Sequence, residues 1–447
     1  MTSNVILNAP TVGGGQTVAT EDISGVQFQR VKLAMGASGQ DLGDVSGTNP
    51  MVVEMGGASV TAFGDLITAE NTPLVQMDFV YGINTQTGVT TIVGTGVADT
   101  SASRLRLQTG TGATGSAIFT SRKTAKYRAG QGMTARFTKV FTTGAPNSQQ
   151  YAGFGTAADG YFIGFNGADF GILHRNAGAD TWVLQGSWNG DKCNGTGPSA
   201  FTIDPTMGNV YQIRYPYLGY GVITFWVLNP ATGRWLLAHV IQYPNTSTAV
   251  QISNPNLNYY DAVVNAGNTS NLISYTGSVA ALLSGVRSFT GNPKWAYDNN
   301  KSTITAETNL FSLKNATTYN GVVNRGLLRL NSLSLAHAGA ITSLGVCRLR
   351  INATLGGTAT YAAINGTTAD NGVTITAGNS ITSANTIHTT ATGGSYIFNL
   401  TVAGDSNAVI DLTPYDLYVA PGEILTVSAF SSASAMIGAC LGWTEDI

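Results

Sequence analysis

The sequence predicts an all-β protein, an extended N-terminal anchor followed by two antiparallel β-sandwich domains of jelly-roll type. One observation is compositional: only 10% of the 447 residues are charged and 55 are glycine, where a soluble globular chain puts about a quarter of its residues into charged side chains. A second is the run of β-branched and aromatic stretches bounded by turn residues, such as Val5-Ile6-Leu7, Thr90–Val93, Gly221–Leu228 and Ile424–Val427. The third is the scarcity of helical periodicity. Only Val279-Ala280-Ala281-Leu282-Leu283 fits a helix, one or two turns long and stopped at Gly285.

Taken in order, residues 1–60 form an extended, loop-rich lead with turn clusters at Gly13–Gly15 and Gly36–Asn49. The lead holds too little apolar material for a core of its own and is expected to need a partner surface. Residues 61–120 read as a small β-rich connecting segment, closed by the glycine-rich stretch Thr109–Gly115. Residues 121–285 give the strongest domain signal. Four of the six tryptophans, Trp182, Trp188, Trp226 and Trp235, fall there among strands such as Tyr161–Phe165 and Tyr211–Tyr215, and two facing sheets can bury such rings in one core. After a junction at Gly285–Pro293, residues 294–447 read as a second sandwich, with strands at Leu327–Leu330, Val346–Ile351, Ser395–Leu400 and Ile424–Val427. No fixed repeat is visible, which disfavours a solenoid or a propeller.

Charge and cysteine content exclude several function classes. A net charge of -2 and a pI near 6.1 supply no basic field for phosphate, so no nucleic-acid partner is expected. The local basic excess, Arg122, Lys123, Lys126, Arg128, Arg136 and Lys139, fits a subunit interface or a paired strand face better than a DNA site. Cys193, Cys347 and Cys440 are odd in number and far apart, which suits isolated buried thiols. The N-terminus lacks the basic and apolar regions of a secretory signal, and no stretch reaches the ~18 apolar residues of a membrane span. Such a surface without an export signal fits assembly into a released particle.

Particular stretches carry a resemblance. Val26-Gln27-Phe28-Gln29-Arg30-Val31-Lys32-Leu33, followed by a Gly/Asp turn and Asn49-Pro50-Met51, resembles an N-terminal motif of structural proteins of tailed bacteriophages. Lys126–Gly132 with Arg136-Phe137-Thr138, then Gly164–Arg175, is similar to the opening of a sandwich domain in such virion proteins, and Asn352–Gly357 through Tyr415–Glu423 to Trp443–Asp446 is similar to their C-terminal domains. The resemblance implies an oligomeric virion component and carries no catalytic residue.

Candidate chemistry is sparse. His174 and His239 lie near Asp159, Asp169, Asp180, Asp191 and Asp204 in sequence, but neither a nucleophile elbow nor a zinc-binding helix motif accompanies them. No catalytic residue, metal site or cofactor is expected. Asp298-Asn299-Asn300 and Asp41–Asp44 offer oxygen ligands outside any calcium-loop pattern. Trp182, Trp188, Asn189, Asp191 and Trp235 are residue types that stack on sugars and bind their hydroxyls, although tryptophans in a sandwich more often serve the core.

The expected function is that of a non-enzymatic structural protein of a tailed-phage virion, assembled in the host cytoplasm. It would be anchored to other virion proteins through Val26, Phe28, Arg30, Val31, Leu33 and Pro50, and closed as a homo-trimer that hides strand edges. The alternative is an adhesin that binds host-cell glycan through Trp182, Trp188, Asp191 and Trp235.

Overall fold

The computed structural model describes residues 71–285, 291–298, 304–363 and 380–446, together with strands Asn4–Leu7, Gln16–Ile23, Val26–Gln29 and Thr374–Ile375. The chain divides into two units, Met1–Thr68 and Ala69–Ile447. In the first, the three strands form an antiparallel meander in which Val26 stands opposite Ile23 and Phe28 opposite Glu21. The other anchor residues, Arg30, Val31, Leu33 and Pro50, lie outside the described residues.

The second unit holds two all-antiparallel sandwiches. In the first of them a seven-stranded sheet runs, edge to edge, through Ala179–Leu184, Asp169–Asn176, Gly160–Asn166, Ser148–Gly155, Asn258–Asn265, Ser116–Ser121 and Gly88–Val93. The facing six-stranded sheet runs through Arg234–Ile241, Ile223–Asn229, Asn209–Tyr215, Met133–Lys139, Ser278–Ser284 and Asn71–Asp78. Alternation decides which side chains meet. Met133, Ala135 and Phe137 from one sheet and Phe154, Tyr161 and Tyr259 from the other enter a single core, where Phe137 lies 6.2 Å from Tyr259 and Tyr161 lies 5.2 Å from Tyr215, ring centre to ring centre.

Two expectations are corrected here. Residues 71–120, the described part of segment 61–120, do not form a separate connecting element: Asn71–Asp78 pairs with Ser278–Ser284, and Gly88–Val93 with Ser116–Ser121, inside the two sheets of the sandwich. Leu74, Val75, Ala117 and Phe119 are buried in its core, and a strand with one apolar face must follow the surface that covers it. Residues Val279–Leu283 are not a helix but the middle of strand Ser278–Ser284, flanked by strands on both sides. Val279, Ala281 and Leu283 point inward at a period of two. Two ladders of backbone hydrogen bonds and an apolar face outweigh the few tenths of a kcal/mol by which Ala and Leu favour helix.

The second sandwich pairs Asn292–Asp298, Met436–Asp446, Leu327–Ala338 and Ser406–Asp411 in one sheet. The other sheet contains Thr382–Asn385, Thr308–Asn315, Ile424–Ser431, Leu344–Ile351 and Ser395–Ala403. Pro293, expected in the junction, is already within a strand, opposite Thr444. Trp443, Phe311, Leu313, Leu333 and Val427 fill this second core. Among the described residues no helix is long and apolar enough to cross a membrane.

Candidate functional site

The four residues read as a glycan platform do not converge. Trp188 is buried in the core against Phe170, 5.9 Å away, and its indole N–H donates to the Val183 carbonyl at 3.2 Å. Trp182 and Trp235 lie on opposite outer faces of the sandwich. Trp182 packs beside Tyr151 on the seven-stranded sheet, and Trp235 lies under the Arg136 guanidinium, 5.8 Å away, on the six-stranded sheet. Alternation forces this split, because Val183 and Phe137, the sequence neighbours of Trp182 and Arg136, point into the core between the sheets.

Asp191 organises a loop. Its carboxylate accepts the backbone N–H groups of Cys193 and Ser199, both at 2.8 Å. Burial opposes its ionisation, but donation from Ser199 and Cys193 outweighs that and holds the carboxyl below the usual range.

The histidines are also engaged internally. His174 Nε2 is 2.6 Å from the Gln251 carbonyl and its ring stacks on Tyr161, while His239 Nδ1 accepts the Asn189 N–H at 3.2 Å. Burial pulls both imidazoles toward the neutral form. Asp298 is hydrogen-bonded to His388 at 2.6 Å, and among the described residues no group of three or more His, Cys, Asp or Glu is placed to hold a metal. All three cysteines are free, and burial pushes the Cys193 and Cys347 thiols up to about 12.

What the structure does assemble is a polar seam between the two sandwiches, which sequence reading missed. Asp159 sits in the turn joining Ser148–Gly155 to Gly160–Asn166, 1% exposed, and accepts bonds from the Ala177 and Ser253 N–H groups and the Ser253 hydroxyl. Arg325, from the second sandwich and 6% exposed, donates to Asp159 at 2.8 Å, to Thr156 Oγ1 and to the carbonyls of Asn254 and Asn256. Burial raises the Asp159 carboxyl, but the Ala177, Ser253 and Arg325 donors together hold it below the ordinary carboxylate range. Around this clamp Arg122 pairs with Glu423, and Lys123 pairs with Asp416 at 2.5 Å. Arg122 and Lys123 belong to the basic cluster of the sequence, and their interface is with another domain of the same chain. A cleft of about 210 Å³ opens beside them, lined by Gln86, Arg122, Asn352, Asp416, Tyr418 and Glu423.

A second cluster lies on the outer face of the seven-stranded sheet. Tyr151 and Tyr260 stack in parallel with centroids 6.1 Å apart, and Phe162 meets both edge-on. The Arg175 guanidinium lies 5.1 Å over Tyr151 and is held by Asp180 through two bonds. The Phe162 ring covers Gly155, where a Cβ would stand 2.2 Å from the ring, so only glycine fits.

No family model matches the chain, and no curated protein matches it. Among solved structures it is similar to a Bauhinia forficata lectin in complex with GalNAc (11% identity, 48% of this chain and 100% of that one, TM-score 0.31). It is also similar to a legume lectin-like domain from Entamoeba histolytica (12%, 47% and 97%, TM-score 0.29). A third is a glycosyl hydrolase family protein from Mycobacterium fortuitum (10%, 46% and 100%, TM-score 0.31).

Proposed function

We propose that this chain is a non-enzymatic structural component of a tailed-phage virion. In this reading it assembles as a homo-trimer through residues 1–60 and carries its two sandwiches as a fibre, decoration or tail-tip element. The observation that carries the reading is the seam: a buried arginine from one sandwich closes on a buried aspartate of the other, which suits a rigid projecting body. The residues that could have served catalysis, His174, His239, Asp159 and Asp191, are committed to internal hydrogen bonds.

Assembly with further subunits is supported by the edge strand Gly88–Val93. Its Val89, Ile92 and Val93 are exposed, a liability that closed symmetry covers. The test is mass spectrometry of purified virions from a host infected with phage encoding either the full chain or a chain lacking residues through Pro50. The full chain is expected in the particle and the truncation outside it; absence of the full chain overturns the reading.

The adhesin reading is favoured by one observation, the half-buried Trp182 ring on an outer face, packed with Tyr151 beside the Arg175–Asp180 pair. If it holds, Trp182→Ala particles assemble normally and fail to adsorb to cells.

A further inference from the structure

Beneath the aromatic core of the first sandwich lies a Lys–Asp pair that neither the seam nor any surface uses. Lys139 ends strand Met133–Lys139 of the six-stranded sheet, and Asp261 lies mid-way along Asn258–Asn265 of the seven-stranded sheet. Both side chains are 0% exposed. Lys139 Nζ is 2.5 Å from Asp261 Oδ1 and 2.6 Å from Oδ2, so the amine faces the carboxyl carbon between its oxygens. Oδ2 alone accepts further bonds, from the Thr276 hydroxyl at 2.8 Å and the Tyr259 hydroxyl at 3.1 Å, while Ser274 Oγ lies 2.9 Å from Nζ. The Phe141 ring closes over the amine at 5.5 Å.

We propose that Lys139 and Asp261 condense into an intramolecular isopeptide bond that staples the two sheets of the sandwich. Transfer of one proton from the ammonium to the carboxylate gives a neutral amine and a neutral carboxylic acid, the nucleophile and the electrophile of amide formation. The Nζ lone pair attacks Cγ. The negative charge that develops on Oδ2 is received by the hydroxyls of Tyr259 and Thr276, which already point at that oxygen. The Cγ–Oδ1 bond then breaks, and Oδ1 leaves with two protons as one water molecule. No oxidant, reductant or activating group enters the balance.

Two physical arguments favour the step. Holding the amine on the carboxyl carbon replaces a bimolecular encounter, an advantage that reaches an effective molarity of roughly 10⁵ M or more in well-oriented systems. The product also removes two charges from a medium in which each is costly to keep, so the dry core favours the amide over the ion pair. Burial pulls the Lys139 ammonium below its usual range, toward the nucleophilic amine, with Asp261 opposing.

The experiment is intact-mass measurement of the full-length protein under denaturing conditions, followed by tryptic mapping. The expected result is a mass lower than that of the sequence by one water, with a branched peptide joining the Lys139 and Asp261 segments and no cleavage after Lys139. A chain of full mass whose Lys139 is cleaved by trypsin and labelled by an amine reagent after denaturation overturns the proposal, as does a water loss that maps elsewhere. Tyr259→Phe, which keeps the ring and removes one donor to Oδ2, is expected to leave a mixture of linked and unlinked chains. The same fully linked mass in Tyr259→Phe would remove the phenol from the mechanism.

Discussion

The guanidinium of Arg325 donates to the carboxylate of Asp159 at 2.8 Å across the boundary between the two sandwiches, and both groups are almost wholly withdrawn from solvent. An isolated buried charge costs several kcal/mol, and an opposite charge with further hydrogen bonds around it offsets much of that cost, although the Arg325 Nε–H is left without a partner. Asp159 has Ala177 and Ser253 as additional donors, and Arg325 has two carbonyls as additional acceptors. The seam is therefore held together by groups that neither sandwich can satisfy alone.

Replacing Arg325 by Met should cost about 3–5 kcal/mol of seam stability, because Asp159 stays buried without its cation. Calorimetry should then resolve two unfolding transitions where the wild-type chain shows one. A single transition at the wild-type temperature would count against the clamp.

Acid should loosen the same seam. The Asp159 carboxyl is lower in the folded chain than its unfolded value of about 3.9. Its contribution is therefore fully present above that value and is lost as pH falls through the folded one. Small-angle scattering, as pH is lowered from neutral to well below the unfolded value of about 3.9, should show the two sandwiches separating before either loses its β-sheet circular dichroism, and Asp159→Asn should weaken this pH dependence.

The thiols should be inert. With Cys193 and Cys347 buried and pushed up to about 12, almost no thiolate exists at neutral pH. A maleimide should leave both unlabelled in the native chain and modify both in denaturant, and rapid native labelling of either would contradict their placement.

The tryptophans should separate by role. Trp188→Ala removes a core ring and its bond to Val183, at an expected cost of about 3–5 kcal/mol. Trp182→Ala, on an outer face and half-buried, should cost less than half of that. Urea unfolding of the two variants checks the order, and equal losses would place Trp182 in the fold's core.

Much of the fold is legible in the sequence. Alternating runs such as Tyr211–Tyr215 and Tyr161–Phe165 became central strands, since period-two patterning is a local property written in consecutive residues. The stretch Val279–Leu283 reads as a helix because five small and aliphatic residues satisfy a helical period as well as a strand period, and only two flanking strands distant in sequence choose between them. The connecting segment failed for a related reason. Asn71–Asp78 finds its partner some two hundred residues later, and nothing within the segment points there.

The candidate sites divide along the same line. Sequence determined that this is a β-protein poor in charge, with aromatic cores, isolated cysteines and no recognisable catalytic motif, because composition and short-range alternation suffice for those conclusions. Only the tertiary structure decided that Trp182 and Trp235 face opposite ways, that Arg325 reaches Asp159, and that Lys139 of the basic cluster lies in the core against Asp261 rather than on an interface. Each of those facts depends on which strands pair and which loops meet across more than a hundred residues of chain or from one sheet to the other. Such contacts are fixed by the burial of whole apolar faces against one another, and no single segment carries that information.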